Sequence, residues 1–249
     1  MSNSDKEANL KEKLKQALTS TARVISDDFD LNKTITKNKS SNKFDFFELD
    51  NLNNKNDFIR ARAEFDSGAL KKKFSNNSIY KKNLPSNSSC KSLYAIAEKI
   101  RYETLGGKML KGIEKNFREN YSEIVNLKRK DQLKTRDDVP VTEAFELYML
   151  KNFHNIKLNS LTNKMLSFWE KEFDQSINKH IEFLKDNFEN QNKYSSKFTE
   201  ILQKMDILKT EETEENEQKN QDDSSDNSPN EDQDGESEDS QDQKKDEEI

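Results

Sequence analysis

The fold is decided by residues 90–107, CKSLYAIAEKIRYETLGG. On a helical wheel with 100° per residue, its apolar side chains gather on one side: Leu93, Tyr94, Ile96, Ala97, Ile100 and Leu105. This spacing predicts an amphipathic helix over 90–105. The pair Gly106-Gly107 is expected to close it, since glycine commonly follows the last helical residue.

A charged residue falls inside the apolar arc of this helix. Arg101 must reach solvent or be neutralised, because an unpaired buried charge is very costly. Glu98 precedes it at the i,i+3 spacing that allows a contact, and Glu103 lies on the opposite flank. Two interpretations stay open for these three residues: an internal ion pair that locks the helix to its neighbours, or a charged contact site for a partner subunit.

The same three- and four-residue spacing predicts further helices on both sides. They cover residues 6–26, Asp57 (as N-cap) to about Phe74, 110–124, Pro140 to Phe153, a long segment from Leu158 to Phe188, and a last helix over 198–208. Between the first two, residues 31–49 are compatible with a small β-hairpin. The prediction is a mainly α fold.

Charge divides the chain into two parts. Residues 211–249 carry 18 acidic groups and three lysines, a net charge of −15, and Ile249 is their one aliphatic residue. Such a segment cannot bury enough apolar surface to offset its chain entropy. We therefore expect a helical domain over 1–210, with a net charge of +9, followed by a disordered acidic tail or linker over 211–249.

Composition argues against several classes of protein. A single cysteine, Cys90, disfavours a disulfide-stapled secreted domain. The longest apolar run is 147–150, and the first residues have no apolar core of a signal peptide, so a cytoplasmic protein without membrane contact is expected. Seven arginines against 35 lysines, without interleaved aromatics, argue against a nucleic-acid partner.

Residues with catalytic potential are few. His154 and His180 fall in different predicted helices, without a companion set of ligands for a metal. Cys90 opens a helix but lacks a histidine partner, and Trp169 belongs to an apolar stripe. With five glycines in the chain, a glycine-rich phosphate loop is improbable. No catalytic, cofactor-binding or metal-binding residue is predicted.

The pattern around Arg101 resembles a known family. The spacing Glu98-x-x-Arg101-x-Glu103-x-x-Gly106, followed by Met109, Gly112 and Asn116, is similar to a stretch of the T subunit of aerobic cobaltochelatase (CobT). Supporting similarities lie in LKQALTSTARVISDDFDLNKTI, in a helix with Arg60, Ala63 and Leu70, and in VPVTEAFELYMLKNF. The resemblance covers roughly residues 8–208, followed by an acidic linker as in the family.

The resemblance implies a role in cobalamin synthesis. Aerobic cobaltochelatase, a ligase that forms coordination bonds, inserts Co²⁺ into hydrogenobyrinic acid a,c-diamide with ATP and Mg²⁺. The implied partners are an AAA+ ATPase subunit (CobS-like) and a large corrin-binding subunit (CobN-like). The T subunit of the family also carries a von Willebrand factor A-type domain with an Asp-x-Ser-x-Ser signature after a buried strand. The segment Asp222-Asp223-Ser224-Ser225 of this chain does not match that signature. We expect a non-catalytic subunit, or a fragment of one, that binds no cofactor itself.

Two other functions remain open on the sequence. The chain could be a partner of a MoxR-like AAA+ ATPase in protein remodelling, without corrin chemistry. It could also be a scaffold whose acidic tail attracts basic clients. Genome context or the presence of a corrin pathway separates the first from a chelatase subunit. The second predicts that the tail alone carries binding.

Overall fold

The computed structural model describes residues 3–28, 55–127 and 135–205, and within these ranges the secondary structure is helical without strands. Ten α-helices are found there, together with 3₁₀ turns at Arg136–Asp138 and Asn178–His180. The helices are α1 Asn3–Ser26, α2 Lys55–Phe74, α3 Asn77–Lys82, α4 Ser88–Met109, α5 Lys111–Leu127, α6 Val141–Phe153, α7 Ser160–Ser167, α8 Glu170–Ile177, α9 Ile181–Asp186 and α10 Gln191–Gln203. The predicted mainly α fold is confirmed. The β-hairpin over 31–49 and the tail over 211–249 lie outside the described residues.

Helix α4 is the central element. It packs against α2, α5, α6 and α10, and Leu93, Ala97 and Ile100 on its apolar side are fully buried. Asn87 caps its first turn by accepting a hydrogen bond from the backbone nitrogen of Cys90 at 3.0 Å. Because these four helices pack around α4, its charged residues Glu98, Arg101 and Glu103 are also buried.

An aromatic cluster joins the C-terminal helices. The Phe145 ring of α6 meets Phe173 of α8 and Phe198 of α10 edge-to-face, with centroids 5.6 and 6.0 Å apart. Trp169 is buried as predicted, and its indole nitrogen donates to the carbonyl oxygen of Val139 at 3.0 Å. Edge-to-face contacts favour one relative orientation of the rings, so this cluster fixes how three short helices pack.

Helices α1 and α2 run side by side in the same direction. Asp27 and Asp28, which follow α1, form ion pairs with Lys73 and Lys72 in the last turn of α2. The lysines neutralise two carboxylates that lie at the negative end of the α1 dipole. The C-terminal ends of both helices therefore lie together.

Several predicted helix ends were wrong. The last helix, predicted over 198–208, runs from Gln191 to Gln203. Helix α2 begins at Lys55, so Asp57 lies in its first turn and is not its N-cap. Helix α4 continues through Gly106 and Gly107 to Met109. The reason at Gly106 is close packing, since a Cβ there would lie 2.9 Å from Cγ of Leu70 on α2 and closer still to both its methyl groups. Here glycine admits a neighbouring side chain and does not end the helix.

The single helix predicted over 158–188 was also wrong, because the structure divides this segment into α7, α8, a 3₁₀ turn and α9. At the breaks, Phe168, Asn178 and Ile181 keep right-handed helical backbone angles. The apolar residues consequently keep their helical spacing while the axis changes direction. Spacing alone could not reveal these turns.

The packing at Gly106 predicts opposite effects for two alanine substitutions. Gly106→Ala should destabilise the domain by about 1–3 kcal/mol, the usual cost of overpacking a core. Gly112→Ala is the matched control, since a Cβ there meets nothing within 4 Å and alanine is a better helix former by up to about 1 kcal/mol. Urea unfolding of both variants measures the difference, and equal midpoints would contradict the packing argument.

Candidate functional site: the buried charges of the central helix

The guanidinium of Arg101 is enclosed by protein and uses all three of its nitrogens. Its side chain is 1% exposed. Nε and Nη2 donate to the two carboxylate oxygens of Glu98, each at 2.8 Å. Nη1 donates to the carbonyl oxygen of Phe188 at 2.8 Å, and Nη2 also donates to that of Phe74 at 2.5 Å. The bidentate contact neutralises the charge, and the two carbonyls accept from two of the three N–H groups that remain.

Glu98 receives further hydrogen bonds from distant segments. Its Oε1 accepts from Oγ of Ser75 at 2.7 Å and from Nε2 of Gln191 at 2.9 Å. The side-chain oxygen of Gln191 in turn accepts from the backbone nitrogen of Asn76 at 2.7 Å. We call Glu98, Arg101, Ser75 and Gln191 the arginine cluster. It ties the end of α2 and the start of α10 to the middle of α4.

Glu103 occupies a separate buried position and does not contact Arg101. Its carboxylate accepts from Oγ of Ser67 on α2 at 2.6 Å and from the hydroxyl of Tyr121 on α5 at 2.5 Å. Burial raises the pKa of the Glu103 carboxyl, while the nearby Lys99 acts in the opposite direction. Burial and the neighbouring Glu103 also raise the pKa of Tyr121 well above 10.0. Glu103 therefore links α4 to α2 and α5.

A third buried polar contact involves another residue of the family-like pattern. Asn116 on α5 donates to Oδ2 of Asp66 on α2 at 2.7 Å. Burial raises the pKa of Asp66, which is 2% exposed, although the hydrogen bond from Asn116 and the charge of Arg62 oppose the rise. Glu98, Arg101, Glu103, Gly106 and Asn116 thus all serve contacts between helices.

Two small cavities adjoin Glu103. One, of about 160 Å³, lies among α4, α5 and the end of α6, and its wall includes Thr104, Glu114 and His154. The other, of about 230 Å³, is bounded by α2, α4 and α5 and includes Lys99 and Asn120. Burial lowers the pKa of His154 to about 4, so this imidazole is neutral near pH 7.

The other residues with catalytic potential are placed apart from these contacts. Cys90 is buried, with its Sγ 3.9 Å from the carbonyl oxygen of Leu202, and His180 lies in the 3₁₀ turn before α9. Within residues 3–28, 55–127 and 135–205, no group of three histidine, cysteine, aspartate or glutamate side chains is placed to hold a metal ion.

The sequence suggested Glu98 as the partner of Arg101, but it did not reveal the other residues that hydrogen-bond to the charged groups of α4. Ser67, Ser75, Tyr121 and Gln191 carry no motif, and the acceptors at Phe74 and Phe188 are backbone carbonyls. The one available signal was Arg101 itself, because a buried guanidinium requires several acceptors.

These contacts define a class: a helical domain whose central helix is fixed by buried charged and polar side chains. The profile of the CobT family, described as cobalamin biosynthesis protein CobT, matches residues 8–249. The chain therefore belongs to the CobT family, which connects it to cobalamin biosynthesis, and the resemblance found around Arg101 is confirmed.

No curated protein and no solved structure matches the chain significantly. None of the helices in the described ranges is both long and apolar enough to cross a membrane.

The arginine cluster predicts a large loss of stability when Arg101 is removed. Arg101→Ala leaves the buried Glu98 unpaired, and breaking a buried ion pair from one side costs about 3–5 kcal/mol. The control is Arg118→Ala: Arg118 contacts Glu114 with its side chain 59% exposed, and such pairs contribute at most about 1 kcal/mol. Urea unfolding gives both values. Unchanged stability of Arg101→Ala with lost binding to a partner subunit would instead identify Arg101 as a partner contact.

The raised pKa of Glu103 predicts that Glu103→Gln changes the stability of the domain by an amount that depends on pH. A carboxyl whose pKa is raised by folding contributes stability at low pH that is lost as pH rises through its folded pKa. The wild type should therefore lose stability relative to Glu103→Gln as pH increases from 4.5 to neutrality. Glu119→Gln, at the surface, corrects for the loss of one negative charge. A wild type that instead gains stability relative to Glu103→Gln as pH rises would show that ionised Glu103 is the form that folding favours.

Proposed function

We propose that this chain is a non-catalytic subunit of an ATP-dependent cobaltochelatase that inserts cobalt into hydrogenobyrinic acid a,c-diamide. The observation that carries the proposal is the CobT family match over residues 8–249. In this proposal ATP, Mg²⁺ and the corrin are bound by other subunits, namely a CobS-like AAA+ ATPase and a CobN-like large subunit. Cobalt is a substrate of the complex.

The structure supports an assembly role. Arg101 and Glu98 of α4 are buried and form their hydrogen bonds within the domain, to each other and to neighbouring segments. Their charged groups are therefore not accessible to another subunit. They therefore set the shape of the domain, and binding to other subunits falls to its exposed helix faces. A rigid domain loses little conformational entropy when it binds, which suits a subunit that positions others.

The proposal is tested by reconstitution. The chain is mixed with the ATPase subunit and the large subunit, and cobalt insertion into hydrogenobyrinic acid a,c-diamide is followed by the absorbance of the corrin. We expect the ATPase to co-purify with the chain, and insertion to fall about tenfold or more when the chain is left out, a loss of about 1.4 kcal/mol or more in activation free energy.

Two outcomes would overturn the proposal in favour of another function. If the chain binds the ATPase but cobalt insertion proceeds equally without it, a remodelling partner of the AAA+ ATPase is the better description. If residues 211–249 alone bind as well as the whole chain, the protein is an acidic scaffold.

A further inference from the structure

Helix α1 has two apolar stripes, and the domain uses one of them. Leu18, Ala22 and Ile25 are buried where α1 packs mainly against α2. On the neighbouring face a second series recurs at alternating steps of four and three residues: Leu10, Leu14, Ala17, Thr21 and Val24. Leu10 and Val24 are 61% and 65% exposed, and Ala17 is also exposed.

This alternating spacing is how a helix in a coiled coil presents side chains to its partner. The stripe covers residues 10–24, roughly 21 Å of helix. Packing on α2 does not account for it, since the residues at both of its ends face solvent. We propose that the stripe is a docking surface for the same stripe on a second copy of this chain, and that the two α1 helices form an antiparallel coiled coil.

The side-chain sizes fit a second copy. When Leu14 of one helix lies opposite Ala17 of the other in an antiparallel pair, Leu10 lies opposite Thr21. The two-fold axis repeats both contacts, so each leucine faces a smaller residue. Val24, at the end of the stripe, lies opposite position 7 of the other copy, a glutamate. Alternation of large and small residues across facing positions fills the space between helices without overlap. A self-complementary surface is what a two-fold symmetric interface requires.

The charges select the same arrangement. In this register Lys6 of one copy lies beside Asp27 of the other, at both ends of the pair. Lys6 is exposed, and the Asp27 side chain is 71% exposed while one of its oxygens accepts from Lys73. A parallel pair would place Lys6 beside Lys11 of the second copy, where like charges repel. The antiparallel pair avoids this repulsion and places Lys6 beside the exposed Asp27–Lys73 ion pair, so the charges favour it over the parallel pair.

The first test measures association of the full chain by sedimentation at increasing concentration. We expect a monomer–dimer equilibrium in the wild type. Leu10→Lys with Ala17→Lys places a charge against Thr21 and Leu14 of the other copy and should raise the dimer dissociation constant about tenfold or more. The control, Glu12→Gln with Gln16→Lys, changes the net charge by the same +2 on an exposed part of α1 outside the stripe. A wild type that stays monomeric, or a control that weakens association equally, overturns the proposal.

The second test determines direction by cross-linking. A Lys6→Cys chain mixed with an Asp27→Cys chain should form a disulfide-linked dimer on mild oxidation. Lys6→Cys alone should not, because the two copies of residue 6 are roughly 30 Å apart in an antiparallel pair. The native Cys90 is 3% exposed, and the wild-type chain serves as its control. Efficient linkage of Lys6→Cys to itself would overturn the antiparallel arrangement.

Discussion

The fold depends on the burial of one positive charge. A guanidinium removed from water must keep its hydrogen bonds and meet an opposite charge, otherwise the domain would lose several kcal/mol. Arg101 meets both conditions with Glu98 and with the carbonyls of Phe74 and Phe188. These partners belong to different segments. The hydrogen bonds that Arg101 needs therefore hold the end of α2 and the segment before α10 beside α4. Gln191 extends the same requirement to the start of α10.

Helix α4 contacts its neighbouring helices through polar side chains as well as apolar ones. Glu103 links it to α2 and α5, and Gly106 lets Leu70 of α2 pack directly against the helix backbone. The packing thereby explains most positions of the family-like pattern in physical terms, but not Met109, which is exposed, or Gly112, whose Cα faces open space. The pattern describes a helix that is enclosed by its neighbours and that needs a charge pair, a buried carboxyl and a small residue at defined positions. Function at the level of the complex then depends on what this fixed domain presents outward.

The sequence predicted the helical class and the unusual position of Arg101, because both depend on local spacing. The contact between Glu98 and Arg101 is within one turn, so a helical wheel could suggest it. Gln191 could not be foreseen, since it follows Arg101 by 90 residues and its glutamine side chain resembles any surface glutamine. Gly106 was misjudged because a glycine that admits Leu70 and a glycine that ends a helix look alike in sequence. The turns within 158–188 were hidden because most of their residues keep helical backbone angles, Trp169 being an exception, and carry no proline or glycine.

The order of the arginine cluster along the chain has a consequence for synthesis on the ribosome. Glu98 and Arg101 are made together, but the carbonyl of Phe188 and the amide of Gln191 follow almost at the end of the described domain. Until α10 has emerged from the ribosome, Arg101 lacks the carbonyl of Phe188 and Glu98 lacks the amide of Gln191. Burial of the Arg101 charge is therefore unfavourable at that stage. Domains generally fold as units during translation. We therefore expect this domain to complete its folding after α10 has been synthesised, because the packing of the earlier helices depends on it.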